Sequence, residues 1–493
     1  MKKILCLIFA AAIVISAALL SGCAEKPGPA DTKPAVTAAD ETAETATVTA
    51  ADTERLPDTL PEGDFGKYVY RIIGQGGAGW TASDILRPEE MADDGLQAAK
   101  LIRYMNVEER YNVVIEPFLS ETVGTVVKGA ILSNDGSFDM INMDTYNTSS
   151  AMLSNLLMNL KSVDLLDLTK PYYDQNYIKD MSYAGKLYSV VTDITTMDMF
   201  VTWIMMYNKS MIEKYDLEDP YDLVQQNNWT LDKFNEMLSG DISSTADGKW
   251  DDNDIYAFGT HVGAARNFFY AAGLKICEKD PDTDVPVIAI RENSDNAEKL
   301  TKIAEKVTDI LYKDHKSLVG GAIVEAFEQG RALFLAEITG YLGRFREMKD
   351  DFGVVPYPKL SPEQEGYFTT NDPCIMVFSM PKYGNYTQNT IDRTAMVFEA
   401  LCYESYHTVR PEYFYDVLGG KETRNAESFE MLNLINDNRV YDFGLFNDLG
   451  TLTTMFSTLA SSANPKVASL VKSGVKQGDK KLGKIIEKYE QGY

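Results

Sequence analysis

Apolar and polar positions along this chain change period in a regular order, and that order lays out its elements. From Lys67 to Ile73 (KYVYRII) they alternate as in a strand, and Gly74 to Gly79 follow as a glycine-rich turn. Gly95 to Tyr111 then carries Leu96, Ala99, Leu101, Ile102 and Met105 at helical spacing, and Tyr111 to Phe118 reads as the next strand. Glu121 to Leu132 is a second helix with Val123, Val126, Val127 and Ile131 inward, and Phe138 to Met143 is a third strand. The order βαβαβ predicts a doubly wound sheet, which takes ligands beyond the carboxyl ends of its strands. Asp144 and Tyr146 follow the third strand and are candidate cleft residues, with helix capping and surface packing as their plainer roles.

Further on, Leu187 to Ile194 reads as a buried strand because β-branched and aromatic residues dominate it. Thr192, Asp193 and Thr195 interrupt the apolar run, and a second apolar strand, Met199 to Tyr207, ends at Asn208-Lys209 on a helix start. Two strands on one path, joined at a polar break, predict a chain leaving one lobe for another, with Asp193 at the break. In the second lobe Thr230 caps a helix carrying Leu231, Phe234 and Leu238. Ile255 to Thr260 is a strand ending at His261, a cleft candidate, although a lone histidine is more often a hydrogen-bonding spacer than a catalyst. Asn296 to Tyr312 is an amphipathic helix, Ile391 to Tyr406 a long apolar one, and Leu482 to Tyr489 closes the chain with lysines on a solvated face.

At 493 residues, with 45% hydrophobic and 11% aromatic side chains, the chain has material for two lobes and accessory pieces. A formal charge of −26 excludes a nucleic-acid partner, because phosphate backbones need clustered Lys and Arg. Lys2 and Lys3 precede the apolar run Ile4 to Leu20, the layout of a secretory signal. That run is too short for a membrane span of about 20 apolar residues, and it ends at Leu20-Ser21-Gly22-Cys23. Residues 24 to 64 lack aromatic side chains and are rich in Ala, Thr, Pro, Asp and Glu, which predicts a flexible tether. Of the five cysteines, Cys6 leaves with the signal, and Cys277, Cys374 and Cys402 are expected as buried free thiols.

Two motifs mislead. Gly74 to Gly79 spells GxGxxG after a strand, but Trp80 to Pro88 is polar and broken by proline where a dinucleotide fold opens a helix. Asp247 to Asp254 resembles a calcium loop in composition only, without the DxDxDG order or the distal Glu, so a polar turn is expected. No metal and no cofactor is implied.

Several stretches together resemble the extracellular solute-binding proteins of ABC importers, the maltose-binding-like group: Gly185-Lys186-Leu187-Tyr188, then Tyr207-Asn208-Lys209, then Trp229 to Phe234, and Asp351 to Lys359 (DFGVVPYPK). Leu20 to Cys23 resembles the bacterial lipobox, in which the cysteine becomes the lipidated first residue. The resemblance spans about Phe65 to Tyr489 and departs from the family at an insert around Ala246 to Asp254 and at an extended C-terminus. It implies a two-lobed α/β fold of the periplasmic-binding-protein type II, each lobe a doubly wound sheet flanked by helices, joined by hinge crossings.

The boundaries it implies are residues 1–22 as signal, 23–64 as lipidated Cys23 and linker, 65–192 and 372–408 as the first lobe, and 193–371 and 409–493 as the second. Tyr367 to Met380 becomes the return crossing, with Asn371 and Asp372 at its break, and Trp229 becomes a core residue. The glycine loop lets Trp80 reach a ligand, and Glu337 and Tyr341 stand where carbohydrate binders place contacting groups. The implied protein is a monomer, anchored outside the cytoplasmic membrane by Cys23, that passes a small molecule, an oligosaccharide or alternatively a peptide, to ABC permease subunits. A glycan-active enzyme and a lipid-anchored adhesin are the alternatives from other classes. The first needs two carboxylates across a cleft, and the second accounts for the tether but not for the crossings.

Overall fold

Two separate sheets carry the fold, and what joins them is the part that matters for function. The computed structural model describes residues 56–77, 79–414, 418 and 426–491, and of Trp80 the backbone alone. The expected signal, Cys23 and the linker up to residue 55 lie outside the described residues.

The first sheet has the order β11-β3-β1-β2, with β1 Tyr68–Gln75, β2 Val113–Ser120, β3 Met140–Asp144 and β11 Met376–Ser379. β1 runs parallel to β2 and β3, Tyr68 opposite Val113 and Ile72 opposite Met140, while β11 closes one edge antiparallel to β3. Ile72 and Ile73 point to opposite faces of β1 and are both buried, because helices cover both sides. These helices are α1 Gly95–Tyr111, capped by Asp94, and α2 Val123–Ser133. α3, Thr145–Leu153, starts where β3 ends. After β1 the GxGxxG stretch gives only a short turn, Gly79–Thr81, in keeping with its rejection as a dinucleotide motif.

The second sheet has the order β10-β4-β9-β5-β8, with β4 Trp203–Asn208, β5 Tyr256–Thr260, β8 Ser317–Val319, β9 Ala332–Ile338 and β10 Phe352–Val355. β9 is buried along its whole length, as a central strand covered on both faces is. Trp229 is fully buried, as the resemblance implies, and its indole donates to the Pro356 carbonyl at 2.8 Å. Its ring meets Phe234 and Phe334, and Phe234 in turn meets Phe258 edge-on. A short hairpin, β6 Cys277–Lys279 and β7 Pro286–Ile288, is appended.

The chain leaves the first lobe along residues 190–202, returns along residues 369–374, and leaves again along residues 408–414, where Tyr413 and Phe414 join a core cluster of the second lobe. The first crossing differs from the sequence reading. Leu187 to Ile194 is buried but forms only isolated bridges, Val190 to Phe378 and Tyr173 to Thr192, and Met197–Phe200 is a helical turn, so the strand begins at Trp203. Hydroxyls cause the change: Thr192 Oγ1 accepts the Ile194 amide at 3.3 Å and Thr202 Oγ1 donates to the Asp198 carbonyl at 2.7 Å, competing with ladder pairing.

Residues 56–64 are laid along the first lobe rather than hanging free. Arg110 of α1 donates to Asp58 at 2.7 Å and to the Leu60 carbonyl at 3.0 Å, and Tyr111 to the Pro61 carbonyl at 2.9 Å. Among the thiols, Cys277 and Cys402 are buried and free, whereas Cys374 is only partly buried. The Asp247–Asp254 stretch is a turn held by its own carboxylates, Asp247 accepting from Lys249 N at 2.8 Å and Asp251 from Asn253 N at 2.7 Å. Among the described residues no group of His, Cys, Asp and Glu gathers to hold a metal, and no helix is long and apolar enough to cross a membrane.

Candidate functional site

A cavity of about 490 Å3 opens at one end of the second sheet, where β5, β8 and β9 end and β4 begins, and its wall includes Trp203, His261, Glu337, Tyr341, Arg344 and Asp372. Four of the residues singled out from the sequence, His261, Glu337, Tyr341 and Asp372, therefore share one hollow. It lies beyond the carboxyl ends of the parallel strands β5, β8 and β9, where open α/β sheets take ligands.

Local folding fixes each of these groups. His261 follows β5 and caps the next turn, its Nδ1 accepting the Gly263 amide at 3.1 Å. With Nδ1 an acceptor, the ring proton of the neutral imidazole sits on Nε2, which faces Glu337 Oε1 at 3.1 Å. Glu337, near the end of β9 and 5% exposed, also accepts the Ile338 amide at 3.0 Å. Asp372, on the return crossing, accepts the Cys374 amide at 3.0 Å and Arg266 Nη2 at 2.7 Å. The Arg266 guanidinium lies 6.0 Å from the Trp203 ring centroid, and Trp203 also meets the His261 ring at 5.5 Å. Arg344 bonds Glu325 at 2.8 Å and Glu328 at 3.0 Å. Burial, helped by Glu337, raises the Tyr341 phenol above its usual range, so that hydroxyl stays protonated. The wall is thus aromatic and polar, and each of Asp372, Glu337 and Arg344 has a protein partner.

From the first lobe, Tyr146 in the first turn of α3 is 38% exposed. Burial pushes its hydroxyl up to about 12, with Arg266 opposing and Cys374 and Asp372 adding, so it lies within electrostatic reach of the Arg266–Asp372 pair. Burial and then Asp372 likewise push the Cys374 thiol up to about 12. Asp144 caps α3 by accepting the Asn147 amide at 2.7 Å. Asn371 is fully buried and donates to the Asp198 carbonyl and to Thr202 Oγ1, tying the two crossings together. Asp193 is 7% exposed and pairs with Arg410 at 3.0 Å. The Trp80 backbone lies in the turn after β1, and its side chain is outside the described residues.

Sequence reasoning missed Trp203 and Arg266. Trp203 sat inside an apolar run that read as buried strand throughout, and Arg266 belongs to a short helical turn without a motif. A second hollow, about 550 Å3, lies beside the β6–β7 hairpin and includes Lys179, Asp180, Tyr270, Lys275 and Tyr441. It contains none of the expected residues and sits away from the strand ends, and Lys275 and Asp180 are already paired at 2.7 Å.

A sequence model of the bacterial extracellular solute-binding proteins matches residues 90–397. No curated protein matches the sequence. Among solved structures, a sugar transporter from Rhizobium etli in an open conformation superposes with a TM-score of 0.54 at 14% identity, over 83% of this chain and 99% of its own. The apo form of RafE from Streptococcus pneumoniae gives 0.53 at 15% identity, over 85% of this chain and 100% of its own. UgpB from Mycobacterium tuberculosis, in complex with glycerophosphocholine, gives 0.51 at 15% identity, over 86% and 98%. These likenesses support the two-lobed fold; at such identity they do not choose a ligand.

Proposed function

This chain belongs to the bacterial extracellular solute-binding proteins, and from that premise we propose that it captures an uncharged oligosaccharide between its lobes and hands it to an ABC importer. The observation that carries the ligand class is that the ionised groups of the wall already have partners: Asp372 holds Arg266, Arg344 holds Glu325, and Glu337 faces the Nε2 of the neutral His261 ring. A charged ligand has to compete with those partners, and breaking a buried pair leaves an uncompensated charge. A sugar hydroxyl instead uses the remaining lone pairs of ionised acceptors, which form the stronger hydrogen bonds. Tyr341 and, across the cleft, Tyr146 offer aromatic surface for the apolar faces of sugar rings. Binding to both lobes favours the closed arrangement by its differential affinity for it. The Asp372–Arg266 pair likewise disfavours a cationic peptide at that carboxylate.

The reading includes capture without cleavage, by a monomer. It also includes a lipid anchor at Cys23, expected to take up radiolabelled palmitate that Cys23→Ser does not.

Titration calorimetry against neutral oligosaccharides, uronate-bearing oligosaccharides and cationic peptides tests this. A neutral saccharide should bind and be recovered intact. Tyr341→Ala should weaken that binding by roughly 10-fold or more, the loss of one aromatic contact of about 1.5 kcal/mol. Binding of peptides alone would replace the ligand class, and recovery of cleaved saccharide would make the protein an enzyme.

A further inference from the structure

Behind the cavity, where the chain passes between the lobes, ionised groups gather that the site does not use. Arg439 donates to Asp198 on the first crossing at 2.7 Å and to Asp174, the cap of α4 (Gln175–Met181), at 2.8 Å. Tyr441 adds a hydrogen bond to the same Asp174 oxygen at 2.7 Å. The backbone beside Arg439 pairs with the return crossing, Val440 N donating to the Thr369 carbonyl at 2.8 Å. This part is enclosed, and both of its carboxylates are held by Arg439.

Asp193, also on the first crossing, is differently placed. Its Oδ1 holds Arg410 of the third crossing at 3.0 Å, while its Oδ2 is buried without a hydrogen-bond partner. The Arg410 side chain is 34% exposed, so it has an alternative in solvent that Asp193 lacks.

We propose that the Asp193–Arg410 pair is a catch, released by acid, that holds the third crossing against the first, and that these two are positioning residues for solute capture. Ionised, Asp193 ties Arg410 down and restricts how the lobes open. On taking a proton from water it becomes neutral, the ion pair is lost, and Arg410 turns to solvent. Burial pushes Asp193 up to about 6, Arg410 and Arg439 oppose this, and Asp198 adds to it, so the change falls between neutral and mildly acidic pH. The surroundings on each element are Asp198 on the same crossing, Arg439 on the C-terminal segment, Cys402 on the Gln388–His407 helix, and Arg103 of α1, which donates to the neighbouring Ile194 carbonyl. His407, at the end of that helix, packs its ring on Tyr403 and Tyr406 and is the titratable group three residues before Arg410. The inference rests on the two-lobed fold and not on the ligand.

The test is single-molecule energy transfer on the full chain without ligand. One dye is placed by an unnatural amino acid at Leu132 on the first lobe, which is 69% exposed, and the other at Lys302, exposed on the second. The distance distribution should change between pH 7.5 and 5 with a midpoint near 6, the value to which Asp193 is pushed. Asp193→Asn should show the acid distribution at both pH values, whereas His261→Asn and His407→Asn should keep the transition. Arg410→Gln removes the cation of the pair and should likewise show the acid distribution at both pH values; this decides the matter if Asp193→Asn does not fold. A pH-independent distribution in the wild type, or a transition that survives Asp193→Asn or Arg410→Gln, would overturn the catch. Because no ligand is added, failure here leaves the saccharide reading standing, and the reverse holds too.

Discussion

Asp372 and Asp193 are both acids on crossings, and their surroundings give them opposite behaviour. Asp372 has a partner on each oxygen, Arg266 on one and the Cys374 amide on the other. Asp372→Asn leaves Arg266 without its carboxylate at a site where the two side chains are 13% and 17% exposed. Loss of one member of a pair this enclosed should lower unfolding free energy by roughly 3 kcal/mol, read by urea denaturation at pH 7. Asp193 titrates near 6 when folded and near 3.8 ordinarily. The folded chain therefore binds that proton more tightly, and the stability contributed is complete below about pH 3.8 and lost as pH rises through 6. The gap is worth roughly 3 kcal/mol at about 1.4 kcal/mol per unit. In denaturation curves at several pH values, the stability of Asp193→Asn minus that of the wild type should fall by about that amount from pH 7 to pH 4, whatever constant offset the lost pair adds. A flat difference would show that Asp193 is not perturbed. Such a pair costs stability at neutral pH, which fits a positioning role better than a stabilising one.

At the scale of elements, β4 and β10 meet where Gly353 lies opposite Tyr207. A Cβ on Gly353 would run into the Tyr207 ring, itself buried and bonded to Asp219 at 3.0 Å. Gly353→Ala should therefore cost about 1–3 kcal/mol by overpacking, seen as a lower denaturation midpoint with an unchanged slope. Thr230→Ala, which removes the cap that accepts Lys233 N at 3.2 Å, should cost about 1 kcal/mol.

Elements that obey one period were legible in the sequence. β1, α1, β2, α2 and β3 lie within a few residues of where alternation and helical spacing put them, because each buries a regular face. The first crossing was not, since its residues are as buried as a strand while their backbone groups bond to Thr192 and Thr202 side chains. The cavity was half legible. His261, Glu337 and Asp372 are polar groups at element ends or breaks and stand out, whereas Trp203 in an apolar run and Arg266 in a short turn become visible only when β4 is placed beside β9, with β5 on its far side.

For the whole molecule, the segment that enters the first lobe is tied to it along its length. Residues 56–64 lie on α1 and the Gln388–His407 helix, with Asp58 and the carbonyls of Leu60 and Pro61 on Arg110 and Tyr111, and the Leu56 carbonyl accepting from Tyr403 at 3.2 Å. Phe65 adds its ring to Tyr111 at 5.6 Å. Arg110→Met removes the Asp58 pair and the Leu60 bond together. Because Asp58 is half-exposed, this should cost at most about 1 kcal/mol in unfolding free energy. Limited proteolysis by an endoprotease specific for acidic residues should respond far more, with new cleavage after Asp58 and Glu62, since local release exposes backbone that global stability does not report. Equal cleavage of variant and wild type at these two acidic residues would mean that the segment is held by its apolar contacts alone.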